Sequence, residues 1–194
     1  MQDQALILAS SSIYRRELLQ RLLHDFTWVA PDCDEHPLIG ETAREVALRL
    51  ALSKARRVAE QHSDAVIIGS DQTARCGRKM LGKPVDLSHA ADQLAWCSGR
   101  MVTFHTGLAV LNARTGSVHR TVVDTRVFFR ELTSSQIQRY LQREPALDCA
   151  GSFKAEGLGI SLFQSLRSED STALLGLPLI ALTTCLVAEG FSLP

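Results

Sequence analysis

Five consecutive residues, Ala65-Val66-Ile67-Ile68-Gly69, constrain this 194-residue chain more than any other feature. An apolar run without polar alternation fits a strand covered on both faces, as in an α/β sheet flanked by helices. Ser70-Asp71-Gln72 follows directly. The strand is therefore expected to end at Gly69 and to deliver the Asp71 carboxylate to its carboxyl end, where open α/β sheets bind their ligands. A turn-capping role is the alternative for this aspartate.

The rest of the chain supports the same class. Leu6-Ile7-Leu8-Ala9 reads as a short buried strand, and Ser10-Ser11-Ser12 supplies capping hydroxyls for a helix from Ile13 to His24. That order places a helix N-terminus, with its exposed amides and partial positive charge, at the end of a strand, where it suits phosphate. Phe26 to Ala30 is a second strand candidate, followed by the acidic loop Pro31-Asp32-Cys33-Asp34-Glu35. Thr42-Ala43-Arg44-Glu45 has capping-box spacing and opens a long helix to about Gln61. Its apolar stripe is Ala43, Val46, Ala47, Leu50, Ala51, Ala55 and Val58, and Lys54 falls on that stripe.

The second half is richer in β-prone residues. A hairpin-like stretch from Cys76 to Pro84 and a helix from Ser88 to Trp96 precede two long runs, Met101 to Leu111 and Val118 to Phe129. The turn Asn112 to Gly116 makes these runs an antiparallel pair. Thr133 or Ser134 caps a helix through about Gln142, and Ala150 to Gly157 starts a loop and strand region. A last helix has Pro178 near its first turn and Gly190 past its end. The expectation is one α/β domain over 1–194, with a mixed sheet and a cleft between its strand-helix lobe and its β-rich lobe.

Composition excludes several classes. Lys plus Arg equals Asp plus Glu at 21 each, so no basic excess points to nucleic acid or an anionic membrane. Met1-Gln2-Asp3-Gln4 carries no basic residue, and the apolar run after it is too short for a signal or a membrane span. The five cysteines (33, 76, 97, 149, 185) are odd in number and form no C-x-x-C pair, so packing thiols in the cytoplasm are expected. The six histidines show no metal-ligand spacing.

The residues able to do chemistry are few. Ser10, Ser12 and Arg15 at the serine turn suit a phosphate chain through charge-assisted hydrogen bonds, although an ordinary capped helix has the same spacing. Neither a P-loop nor a dinucleotide fingerprint is present. Lys54 on an apolar stripe either snorkels outward or meets an anion. Lys83, between Gly82 and Pro84, sits in a stiff turn that can aim a cation at phosphate, although an ordinary exposed lysine has the same setting. Splitting a triphosphate needs a group to orient or deprotonate water and a divalent ion to offset phosphate charge. Asp71 suits either task, with Glu35 as its partner around magnesium.

In order along the chain stand Leu8-Ala9-Ser10-Ser11-Ser12-x-x-Arg15-Arg16-Glu17-Leu18-Leu19, Asp34-Glu35, Lys54-Ala55, Gly69-Ser70-Asp71-Gln72, Gly82-Lys83-Pro84 and Ala150-Gly151-Ser152-Phe153. Together these segments resemble the Maf family of nucleoside triphosphate pyrophosphatases, over residues 6 to about 190. The resemblance implies an elongated fold of the Maf/ITPase-like type, with a mixed twisted sheet, flanking helices and a central nucleotide cleft. It implies Asp71 as proton acceptor, and Lys54, Lys83 and Arg15 facing the phosphates. Glu35 and Asp71 would lie in the metal region around Mg or Mn. Ile13 replaces the proline common after the serines, which softens the first helical turn without removing a functional group.

Three specificity positions of that family are Tyr14, Gln72 and Glu156 here. An aromatic with glutamine and glutamate resembles the branch acting on 7-methyl-GTP. N7-methylation makes guanine cationic, which favours stacking on an aromatic face. A carboxylate such as Glu156 accepts hydrogen bonds from guanine's N1–H and exocyclic amine. Hydrolysis of 7-methyl-GTP to 7-methyl-GMP and diphosphate is therefore the leading expectation. The alternatives are turnover of other modified or pyrimidine triphosphates (dTTP, UTP), or a nucleotide-binding cell-division regulator. The expected partner is a small-molecule nucleotide, with neither nucleic acid nor membrane, and there is room for a homodimer.

Overall fold

The computed structural model describes residues 4–194. Met1 to Asp3, part of the segment read above for a missing signal sequence, lie outside the described residues. In chain order the elements are β1 (Ala5–Ala9), α1 (Ile13–Gln20), β2 (Thr27–Val29), α2 (Ala43–Ala59), β3 (Ala65–Cys76), β4 (Lys79–Leu81), α3 (Leu87–Cys97), β5 (Met101–Asn112), β6 (Val118–Phe129), α4 (Ser134–Arg143), β7 (Phe163–Ser168) and α5 (Leu179–Ala188). The strands form one mixed sheet in the order β2-β1-β3-β5-β6-β7, with β4 on β3. The α/β class expected from the sequence is the class observed.

The chain divides into two compact units. The first takes the chain up to Asp71, then Thr106–Val123 and Asp170–Pro194; the second takes Gln72–His105 and Asp124–Glu169.

In the first unit β1 pairs in parallel with β2 and β3, from Ala5↔Ala65 to Ala9↔Gly69 on the β3 side. Alternation explains the unbroken apolar runs. Leu6, Leu8, Val66 and Ile68 turn to one face, where they meet Leu18 and Leu19 of α1 and Leu182 and Leu186 of α5. Ile7, Ala9, Ala65 and Ile67 turn to the other and meet Ala55 and Val58 of α2. Both faces are covered, so neither position in the period-2 pattern is polar.

Helix α2 begins at the expected capping box, with Thr42 accepting from Glu45 N and the Glu45 side chain returning to Thr42. Its approach to the sheet is unusually close. A Cβ built on Gly69 would lie 2.1 Å from the Ala51 carbonyl oxygen, and one on Gly107 2.2 Å from that of Ala47. The helix backbone rests directly on the strand backbone, with Ala47, Ala51 and Ala55 fully buried at the seam.

Two boundaries differ from expectation by more than two residues. Helix α1 stops at Gln20 rather than His24, because Arg21 N and Leu22 N bond three residues back to Leu18 and Leu19 carbonyls (3.1 and 2.9 Å) and tighten the turn. Leu22 and Leu23 still pack on the core from that turn. Strand β3 does not end at Gly69 but runs on to Cys76. Asp71 is thus inside a strand, two residues beyond the point where its parallel neighbour β1 ends opposite Gly69.

In the second unit the Cys76 end of β3 turns at Gly77 (φ +61°) into β4, pairing Ala74↔Leu81 and Cys76↔Lys79. Strands β5 and β6 run through both units, and the five residues 113–117 that join them, in the first unit, are too short for a parallel crossover, so the two strands are antiparallel. Strand β7 pairs antiparallel with β6. Phe104, Phe129, Phe153 and Phe163 meet edge to face at 5.0–5.5 Å and form an aromatic core. The expected loop and strand region at 150–157 is turn and loop only, and β7 begins at Phe163. Gly151 and Ser152 both adopt positive φ (82° and 66°), which breaks any extended run there.

All five cysteines are free. Among the described residues no helix is long and apolar enough to cross a membrane.

Candidate active site

The serine turn folds on itself before it meets any ligand. Ser10 is buried and its hydroxyl accepts from Ser12 N at 3.1 Å. Ser12 is the N-cap of α1, its side chain accepting from Arg15 N at 3.4 Å. Arg15 donates through Nε to the Gly176 carbonyl at 2.8 Å and through Nη1 to Ser10 Oγ at 3.5 Å. The guanidinium is thereby fixed beside the helix start, where aligned amides favour an anion. Burial pulls Arg15 below its usual range, and the charges of Asp71 and Glu35 oppose this.

Lys54 is the centre of the site. It emerges from the apolar stripe of α2, buried, and does not snorkel: Nζ lies 2.6 Å from Asp71 Oδ1 and 2.7 Å from Glu35 Oε1. Glu35 reaches in from the acidic loop and remains more than half exposed, while Asp71 is nearly enclosed. Burial raises the Asp71 carboxyl above the usual carboxylate range; Lys54 and Arg15 pull it back, and Glu35 pushes it up again. A carboxyl held in this way accepts a proton more readily than an exposed aspartate does.

Lys54→Met keeps the stem and removes the charge. Asp71 and Glu35 then lose the ammonium that both contact, with only Arg15 left to oppose the rise, so the Asp71 carboxyl should titrate at still higher pH in a carbon-13 carboxyl titration. Turnover at pH 7 should fall about ten- to hundredfold. An unchanged titration would contradict the pairing.

Two carboxylates converging on one cation also define what the site can hold. Among the described residues no three His, Cys, Asp or Glu side chains gather into a metal cage. Magnesium or manganese requires less, one or two carboxylates with phosphate oxygens and water completing the shell. Glu35 and Asp71 each already turn an oxygen toward the Lys54 ammonium, and this hard-oxygen pair fits such an ion. Burial raises the thiol of Cys33 on the same loop, Lys54 opposes the rise, and Glu35, Asp71 and Asp32 add to it.

One segment of the site was not foreseen from the sequence. The Gly176 carbonyl that receives Arg15 also lies 2.8 Å from Ser70 Oγ, which reaches the Gly107 carbonyl at the same distance. Thr106 Oγ1 donates to the Ala173 carbonyl at 2.8 Å. The loop 170–178 is thus fastened to β3, β5 and α1 at once. Asp170 and Thr172 hold its other end by accepting from Ile180 N and Leu179 N at the start of α5 (2.7 and 2.8 Å). Pro178, expected near the first turn, is the N-cap residue itself.

The first unit therefore brings together Ser10, Ser12, Arg15, Glu35, Lys54 and Asp71. Tyr14 is half-buried on the first turn of α1. Lys83, Gln72 and Glu156 belong to the second unit: Lys83 is exposed after Gly82, Gln72 half-buried on β3, and Glu156 exposed in a turn.

The Maf-like protein family model matches residues 5–189, and the chain belongs to the Maf family. It is 53% identical to a Pseudomonas putida protein over 189 residues, covering 97% of this chain and 98% of that one. It is 52% identical to an Aromatoleum aromaticum protein over 194 residues and the whole of both chains. A Thiobacillus denitrificans protein is 52% identical over 185 residues, 95% of this chain and 92% of its own. Each of these three relatives bears the name 7-methyl-GTP pyrophosphatase.

Proposed function

We propose that this chain hydrolyses 7-methyl-GTP to 7-methyl-GMP and pyrophosphate. The observation that carries the reaction type is the buried Lys54 ammonium bridging Asp71 and Glu35, in the same unit as a helix N-terminus carrying Arg15. The names of the relatives, at about half identity over nearly full length, support the substrate.

Asp71 accepts the proton of a water attacking the α-phosphorus, and pyrophosphate leaves with the electrons of the broken P–O bond. Arg15, Lys54 and Lys83 carry the charge that develops on the phosphoryl oxygens, and the Ser10 and Ser12 turn orients the chain of phosphates. Glu35 and Asp71 would hold a Mg or Mn ion. Such an ion, when bound, offsets the charge of the triphosphate oxygens. Cytoplasmic residence fits the five free thiols, which need a reducing compartment to stay so.

At the base, Tyr14 stacks on the cationic methylated ring, Glu156 accepts from the guanine N1–H and amine, and Gln72 completes the specificity set. Tyr14→Ala should lower the 7-methyl-GTP to GTP ratio of kcat/KM by roughly three- to thirtyfold, the span of a cation–π contact. The comparison is made with pyrophosphate as the readout. An unchanged ratio would remove Tyr14 from the account of methyl recognition.

A further inference from the structure

The loop that carries Glu156 is held by a carboxylate outside the proposed catalytic set. Glu144, just past the end of α4, accepts from three donors. Oε1 receives Leu158 N at 3.2 Å; Oε2 receives Gly159 N at 3.1 Å and the Tyr140 hydroxyl at 3.0 Å. The same Tyr140 oxygen accepts from Lys154 N at 3.0 Å. Tyr140 on α4 and Glu144 at its C-cap thus grip the loop on both sides of Glu156, at residue 154 and at residues 158 and 159.

The grip is close and internally braced. A Cβ on Gly157 would lie 2.1 Å from Glu144 Oε1, so the carboxylate is pressed onto the loop backbone. Gly157 N returns to the Lys154 carbonyl at 3.3 Å, and Lys154 Nζ pairs with Asp148 at 3.3 Å. Tyr140 is buried, and burial pushes its phenol up, so it stays a donor to Glu144 at any working pH. Glu156 itself stands exposed at the tip of the braced segment.

This is more than a loop needs merely to fold. Surface turns close with one or two local bonds, whereas here four bonds fix the six residues from Lys154 to Gly159 and a fifth ties Tyr140 to Glu144. Preorganisation of this kind matters where a side chain must meet a ligand edge within a fraction of an ångström.

We propose that Tyr140 and Glu144 are positioning residues for base selection, holding Glu156 at the orientation that accepts guanine's paired donors. The inference rests on the reading of Glu156 as the base-recognising carboxylate. It separates two forms of selectivity. Methylation is read by Tyr14, in the first unit; guanine against pyrimidine is read by Glu156, and only this second form depends on the clamp.

The test compares kcat/KM for 7-methyl-GTP, GTP and UTP in the wild type, Tyr140→Phe, Glu144→Gln and Glu156→Ala. Tyr140→Phe keeps the buried ring and deletes the hydroxyl, so the core is retained while Lys154 N–H loses its acceptor. It should lower both guanine substrates about tenfold, mainly through KM, leaving their ratio and the UTP rate unchanged. Glu144→Gln keeps one acceptor oxygen and should fall between the wild type and Tyr140→Phe. Equal loss on all three substrates, or no loss on any, would overturn the clamp. Glu156→Ala separates the two ideas. A guanine-selective loss there without one in Tyr140→Phe overturns the clamp alone, whereas unchanged selectivity in Glu156→Ala overturns the base reading and the clamp's role with it.

Discussion

Asp71→Asn should reduce the rate of pyrophosphate release by about 10²- to 10⁴-fold, the usual contribution of a positioned general base. The amide occupies the same space and cannot take the proton. Lys54 keeps Glu35 at 2.7 Å, so the ammonium is not left without a partner and the fold should persist in a thermal melt. The loss should lie mainly in kcat, because Arg15, Lys54 and Lys83 are untouched and Glu35 remains to hold the metal ion. The pH profile carries the same information. Burial raises the Asp71 carboxyl, so the wild-type acid limb should lie above the pH at which an exposed aspartate titrates, and the variant should lack that limb.

The linked effect on stability has the opposite sign to that of an ordinary paired carboxylate. A carboxyl whose folded value exceeds its unfolded one costs nothing below the unfolded value, where both states hold the proton. The cost of charging it is fully present once the pH has risen through the folded value. Asp71 therefore lowers stability at neutral pH and returns part of it on acidification. A carboxyl kept at such a cost accords with the proposed role of Asp71 as proton acceptor.

The second large effect is structural. Gly69→Ala would place a Cβ 2.1 Å from the Ala51 carbonyl oxygen, and Gly107→Ala would place one 2.2 Å from that of Ala47. The obstacle is helix backbone in both cases, so α2 must lift from the sheet by more than an ångström. Each variant should lose about 2–4 kcal/mol of unfolding free energy, read as a lower urea midpoint at unchanged slope. Activity should fall further than stability explains, because Lys54 rides on α2 and its ammonium would leave Asp71. Gly82→Ala is the control: nothing lies within 4 Å of its added Cβ, and its stability should stay within about 0.5 kcal/mol of the wild type. A Gly69→Ala protein as stable as the wild type would show that the helix–sheet seam is not close-packed.

What the chain disclosed before folding follows from how local each signal is. The capping box at Thr42 and Glu45, the seven-residue stripe of α2 and the two-faced strands are patterns local to one element, and all appear as read. Lys54 was legible as an anomaly on that stripe, but its choice between water and an anion depended on Glu35 and Asp71, 19 and 17 positions away. The run of β3 through Ser70 and Asp71 was hidden because the strand stays buried there while its side chains turn polar. A tertiary pattern overrode the usual sign of a strand end.

The loop 170–178 and the Glu144 clamp were invisible for a related reason. Asp170 and Thr172 cap a helix that starts seven to nine residues later, and Glu144 serves amides 14 and 15 residues away. Such bonds leave no spacing rule in the sequence. Close helix–sheet contact at Gly69 and Gly107 was equally hidden, since a glycine in an apolar strand does not say what approaches it.

The most direct test is a side-by-side assay of 7-methyl-GTP, GTP, dTTP and UTP with magnesium or manganese, resolving pyrophosphate from orthophosphate. The account predicts release of intact pyrophosphate and the highest kcat/KM on 7-methyl-GTP. Faster turnover of dTTP or UTP, or release of single phosphates, would contradict it.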